Sequence, residues 1–394
     1  MPIRKEITYG YKDLGILGAE ISYIKSRSEC NPFIENPFGE AHLPIIASPM
    51  APVVSEKNYD EFNKNGIYAI IPRSVDYDIR VKEARNGKWV AFGKHEFEAL
   101  FCDEETCRKN FSNAVLNICV DIANGHMIDL YDVCKTAKKV SSKLYNELTI
   151  MTGNIDNPKT YDWIRRLNNG YYEKYGKRDL VINYIRLGIG GGDGCTTTPQ
   201  TGVHMGQASL IDECRKVYEK YDGHCCPKII ADGGIKCFGD VVKALALGAH
   251  YVMIGSIFSR TIESAGEKEI SGWNFLELPS SKIEDYVDFD YDNDADGWVA
   301  TYKDGTKHMM DIDVTFFGMA SGNGQRAING VKTKVSEGTT KILKVNFTLS
   351  KWVHIMAGSL KSAMSYCNSN TISDFIGKQD LVVLSQNEIN SLNT

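Results

Sequence analysis

The stretch from Leu187 to Thr198, Leu-Gly-Ile-Gly-Gly-Gly-Asp-Gly-Cys-Thr-Thr-Thr, is the part of this chain best suited to chemistry. Its five glycines free the backbone for positive φ and let N–H groups approach a ligand closely. A cysteine closes the loop. Backbone donors stabilise a thiolate, the nucleophilic form, so Cys195 is a candidate covalent catalyst. The loop's carbonyls, those of Gly190, Gly192 and Cys195, are candidates to hold a monovalent cation such as K+. Three further segments carry groups of the right kind. Ile229 to Ile235 ends a strand in Asp232-Gly233-Gly234, and a carboxylate there can accept hydrogen bonds from ribose hydroxyls. As structure alone, Asp232 reads as a turn or capping residue. Met253-Ile254-Gly255-Ser256 has the form of a phosphate-binding turn late in a barrel. Phe317-Gly318-Met319-Ala320-Ser321, followed by Ser336-Glu337-Gly338, can line a base and supply an acid/base carboxylate.

These residues need a scaffold that brings distant loops to one mouth. Short apolar runs alternate with amphipathic stretches along the chain. Strands are predicted at Leu43–Ala47, Tyr68–Ile71, Val115–Asp121, Leu148–Thr152, Tyr184–Leu187, Lys228–Ala231 and His250–Ile254. Helices are predicted near Tyr59–Asn65, Met127–Leu144, Pro158–Asn168, Gln207–Tyr221 and Gly239–Leu247. Uninterrupted apolar strands between helices indicate a parallel sheet covered on both faces, and this many units favour a closed (β/α)8 TIM barrel. All 394 residues read as one catalytic domain. Met1–Ala41 is an N-terminal excursion before the first strand. Residues 273–314, Trp273 to Val314, with the acidic stretch Glu284–Asp296, read as an inserted solvated hairpin.

Composition narrows the partners. Hydrophobic residues make up 43% and charged ones 24%, with a formal net charge of -5. This is the profile of a globular protein without a nucleic-acid footprint. Apolar runs such as Gly66–Pro72 are strand-length, so no membrane partner is expected. Met1–Gly10 lacks the apolar core of a signal peptide. The 11 scattered cysteines form no CxxC pairs, and Cys225-Cys226 suits neither a zinc ribbon nor a disulfide. A reducing, cytoplasmic location with mostly buried thiols is expected.

Taken together, the segments resemble the IMP dehydrogenase/GMP reductase family. The GIGxGxxCTT stretch at Gly188–Thr197, ADGGI at Ala231–Ile235 and VMIGS at Val252–Ser256 match in order and spacing. Leu43–Met50, Asp121–His126, Thr152-Gly153-Asn154 and Gly318–Ser321 extend the likeness over about residues 8–375, the acidic insertion excepted. The chain looks more like the reductase branch. It has no CBS-domain pair, its Asp-x-Ala-Asn-Gly-His strand end is the reductase version, and Met319–Glu337 is short. Dehydrogenases place a long flap there with a water-activating Arg-Tyr pair, whereas Arg326 is followed by Ala327. The resemblance implies reductive deamination of GMP to IMP with NADPH, with Cys195 attacking C2 and Thr197 and Glu337 relaying protons. It implies that Asp232 binds ribose, that Gly192, Asp193, Gly234, Gly255 and Ser256 surround phosphate, and that Met319 and Ser321 touch the base. Asp121, Asn124, Gly125 and Asn154 would hold the cofactor, and a homotetramer is expected.

The departures cluster at phosphate and cofactor contacts. The family commonly has a phosphate-binding Ser where Asp193 stands, and an Arg where Thr198 stands. A family Tyr is Phe317, and a Lys/His-rich stretch is Pro72-Arg73-Ser74-Val75. The chemical step is expected to survive while the substrate shifts, to a deoxynucleotide, a modified purine or a differently phosphorylated one. Two alternatives stand beside this: oxidation of IMP with NAD, and a nucleotide-binding homologue without turnover.

Overall fold

Runs of aliphatic residues too brief for helices make the staves of a parallel barrel in the computed structural model, which describes residues 7–35, 41–175, 180–271, 278–280, 282–292, 296–332 and 335–391. The staves are β1 (Ile45–Ala47), β2 (Tyr68–Ala69), β3 (Trp89–Phe92), β4 (Val115–Val120), β5 (Glu147–Ile155), β6 (Tyr184–Leu187), β7 (Lys228–Asp232) and β8 (Tyr251–Ile254). Neighbours pair in chain order, β8 returns to β1, and the Ile71–Val90 bridge joins β2 to β3 and closes the ring. The strand missing from the sequence reading is β3. Its four apolar residues are too few to show a period between charged helices.

Side chains alternate between two cores, as the pleat requires. Ile45, Ala47, Ile185, Leu187, Ile229 and Ala231 face the helical layer. Ile46, Ile70, Ala91, Cys119, Met151, Ile230 and Met253 fill the barrel interior. Six of them lie on different staves and Ile70 directly follows β2, while β6 contributes Arg186, in register with Ile230. The interior layer is therefore apolar at seven positions and cationic at one.

The helices fall close to their predicted bounds, at Ile128–Lys143, Gln207–Lys220 and Phe238–Ala246. The predicted helix at Pro158–Asn168 instead continues to Tyr175, because Tyr161, Ile164, Arg165, Asn168 and Tyr171 keep a buried stripe going. Within the N-terminal excursion, Leu14–Ile16 pairs with Leu381–Val383 near the other end of the chain, and Ile34–Glu35 pairs with Ala41–His42. Residues 1–6 and 36–40 of that excursion lie outside the described residues.

The insertion is more than a hairpin. A hairpin is present, β10 (Tyr286–Asp292) with β11 (Gly297–Tyr302), but β9 (Lys268–Ser271), β12 (Lys307–Phe317) and β13 (Thr340–Lys344) complete an antiparallel five-stranded sheet. It has its own core, with Trp298, Ile312, Val314 and Phe316 buried, and Trp298 Nε1 donating to the Val345 carbonyl at 2.7 Å. The charge-rich surface of this segment hid an apolar face of period two. Trp273, where the insertion was expected to start, lies outside the described residues.

Candidate active site

The C-terminal ends of the staves open on a cavity of about 990 Å³. One end is lined by the glycine loop Gly188–Cys195 and by the Asp232–Ile235 and Gly255–Ser256 turns. The other is lined by Arg73, Lys94, Asp121, Ile122, Ala123 and Met127. Thr197, Met319 and Glu337 also line it.

The predicted nucleophile sits in a linear donor chain. The Cys195 thiol donates to Thr197 Oγ1 at 3.2 Å, and the Thr197 hydroxyl donates to Glu337 Oε2 at 2.8 Å. Backbone pairing fixes this geometry across 140 residues of sequence. Thr196 N donates to the Glu337 carbonyl at 2.9 Å, Thr339 N to the Gly194 carbonyl at 2.9 Å, and Gly318 N to the Thr339 carbonyl at 3.1 Å. The chains approach so closely that a Cβ on Gly318 would lie 2.3 Å from Gly194 O, and one on Gly338 would lie 2.9 Å from the same atom. Only glycine permits that contact.

A second network ties the two ends of the cavity together. Arg186 donates through Nη1 to Asp121 Oδ1 at 2.7 Å and through Nε to Asp232 Oδ2 at 2.9 Å. Asn154 Nδ2 donates to the same Asp232 oxygen and to the Gly188 carbonyl, both at 2.8 Å. Burial works against the Arg186 charge, but the Asp232 and Asp121 carboxylates outweigh it and hold the guanidinium well above its ordinary pKa. Asp232 Oδ1 takes no hydrogen bond among the described residues. Burial pushes the neighbouring Cys119 thiol up to about 12, so it stays protonated.

The predicted substrate residues Gly192, Asp193, Asp232, Gly234, Gly255, Ser256 and Met319 all line the cavity, as do Gly190, Asp121 and Asn154. The N–H of Gly234 is already engaged by Gly191 O at 2.8 Å, and Gly192 O accepts the Cys195 N–H at 3.0 Å. Asp193 is paired with Lys341, whose Nζ lies 2.8 Å from Oδ1. Three predicted residues are not on the cavity wall. Ser321 is buried, and its hydroxyl accepts from Gly324 N at 3.1 Å to cap the helix Gly322–Asn329. Asn124 points outward and accepts from His126 N at 3.0 Å. Gly125 donates its N–H to the Asn154 carbonyl at 2.9 Å, and so supports a lining residue from behind.

Sequence reasoning missed Arg186, Arg73 and Lys341. A lone arginine inside the apolar run Tyr184–Leu187 was the signal for the first, since a buried charge must have partners. Arg73 was noted only as a departure, and Lys341 carries no local motif.

A model of the IMP dehydrogenase / GMP reductase domain matches residues 8–275. The chain is 29% identical over 284 residues to the GMP reductase of Streptococcus gordonii, covering 70% of this chain and 78% of that one. It is 26% identical over 269 residues to the GMP reductase of Pediococcus pentosaceus, covering 66% and 74%. It is 30% identical over 269 residues to the inosine-5'-monophosphate dehydrogenase of Chlorobaculum tepidum, covering 65% and 43%.

Proposed function

The chain belongs to the IMP dehydrogenase / GMP reductase family, and from that premise we propose that this GMP reductase-like oxidoreductase converts GMP, or a close analogue, to IMP and ammonia with NADPH. The observation that carries the reading is the unbroken chain of donors from Cys195 through Thr197 to Glu337. A thiol must lose its proton to attack, and an amine must gain one to leave; this chain serves both needs.

Cys195 passes its proton to Thr197 as Thr197 passes its own to Glu337. The thiolate bonds to C2 of the purine. Glu337 returns the proton through Thr197 to the exocyclic amine, which departs as ammonia. Such proton transfer is typically worth about 10²–10⁴-fold. A covalent thioimidate remains. When bound, NADPH would supply a hydride for C2; the Cys195 sulfur would then leave C2 as the thiolate, freeing IMP.

Asp232 holds ribose through its unbonded oxygen, the backbone at Gly192, Gly255 and Ser256 faces the phosphate, and Met319 flanks the base. The opposite wall suits a nicotinamide nucleotide. Arg73 Nε is buried there without a hydrogen-bond partner, Asp121 and Asn154 can meet ribose, and Ile122, Ala123 and Met127 offer an apolar stretch. A monovalent cation such as K+ would rest on the carbonyls of Gly190, Gly192 and Cys195 and brace the loop. Reduction is favoured over oxidation of IMP because no Arg-Tyr pair follows Met319; Arg326 precedes Ala327. A homotetramer in a reducing, cytoplasmic setting completes the reading, and 11 free cysteines fit that setting.

The test is direct. GMP with NADPH should lose absorbance at the nicotinamide band, and Cys195→Ala should abolish the loss. Formation of XMP from IMP and NAD would overturn the reductive assignment.

A further inference from the structure

We propose that Lys341, carried by the inserted sheet, completes the phosphate end of the cavity by neutralising Asp193 and binding the nucleotide's phosphate. The site then selects a phosphomonoester over a nucleoside. This rests on reading the cavity as a purine-nucleotide site.

Asp193 stands on the glycine loop and lines the cavity. An unneutralised carboxylate there would repel a phosphate dianion across a few ångströms. The Arg and Lys side chains that line the cavity each have a carboxylate partner. Arg186 is held between Asp121 and Asp232. Lys94 is paired with Asp129 at 2.6 Å. Arg73 lies against Glu96 at 3.8 Å and the Asp121 carbonyl at 3.4 Å. The glycine-loop end therefore has no Arg or Lys on its wall without a carboxylate partner among the described residues.

Lys341 supplies one from outside the barrel. On β13 it is in register with Phe316 of β12, so the two side chains share a sheet face, and Phe316 lines the cavity. From that face its ammonium reaches Asp193 Oδ1 at 2.8 Å, bridging 148 residues of sequence. The position of β13 is set by the pairing of Thr339 with Gly194 and Gly318. An ammonium has three donors, and Asp193 uses one, which leaves donors for phosphate oxygens. The pair is about 40% exposed on both sides, and pairs so wetted add little to stability. Its value lies in the ligand that a lysine can reach while keeping Asp193 neutralised.

The test compares GMP with guanosine on the full chain, by KM with NADPH and by thermal stabilisation. Lys341→Met should raise the GMP KM by about tenfold or more, the scale of a lost charge-assisted hydrogen bond. It should lower the guanosine response far less than the GMP response, and a wild-type far-UV circular dichroism spectrum shows the variant is folded. Asp193→Asn in that background should recover part of the loss, because the repulsion goes but the phosphate donor stays absent. Equal loss for GMP and guanosine, or no loss for GMP, overturns the role of Lys341 and leaves the nucleotide reading standing. Wild-type protein that GMP neither stabilises nor engages in turnover overturns both.

Discussion

Replacing Arg186 with Met should destabilise the barrel and weaken both halves of the site. The guanidinium is 9% exposed and lies between Asp121 and Asp232, themselves 19% and 16% exposed. Methionine fills similar volume without charge. Two carboxylates then face each other across a poorly hydrated gap, with Asn154 alone donating to Asp232. Stranding a buried charge in this way costs about 3–5 kcal/mol. The sign with pH follows from the same charges. In the variant both carboxylates are harder to ionise, so protonation relieves the repulsion, and the deficit should shrink as pH falls from neutral towards about 4. Arg186→Lys keeps the charge but cannot fork to two partners, so it should lose roughly half as much. Urea unfolding followed by tryptophan fluorescence at several pH values measures these quantities. A Met variant within about 1 kcal/mol of wild type near neutral pH, or a deficit that acid does not reduce, would refute the argument.

Other outcomes follow from single contacts. Glu337→Gln should lower kcat by about 10²–10⁴-fold with little change in the GMP KM, read in steady-state NADPH oxidation. Gly318→Ala drives a Cβ to 2.3 Å from Gly194 O, so kcat should collapse while far-UV circular dichroism of the barrel persists. Burial, and after it the nearby charges of Arg215 and Lys228, lower the pKa of His250 from 6.5 to about 3. Its neutral Nδ1 accepts the Ile229 N–H at 3.1 Å. The unfolded chain takes up this proton below about 6.5 and the folded one does not, so stability is lost as pH falls from there towards about 3. His250→Asn should flatten that acid limb in a plot of unfolding midpoint against pH.

The barrel was legible because its staves announce themselves as apolar runs such as Ile229–Ala231, and the cavity's glycine loop because its five glycines lead straight into Cys195. What escaped was non-local. The short β3 looked like any apolar fragment. The inserted sheet was obscured by acidic residues such as Asp288 and Asp290 on its exposed side, while Ile312 and Val314 built a core beneath. Ser321 carries a family motif yet serves a helix start. The pairing of Asp193 with Lys341 depends on how strands line up in space, which no local pattern encodes.

The eleven-residue strand Lys307–Phe317 runs from the outer hairpin to the turn beside the Gly194–Cys195 backbone. Its far end pairs with a hairpin whose outer residues take no part in the chemistry described. A fluorophore attached at an exposed hairpin position such as Val287 would therefore sit on the same sheet as Lys341 without touching the cavity lining.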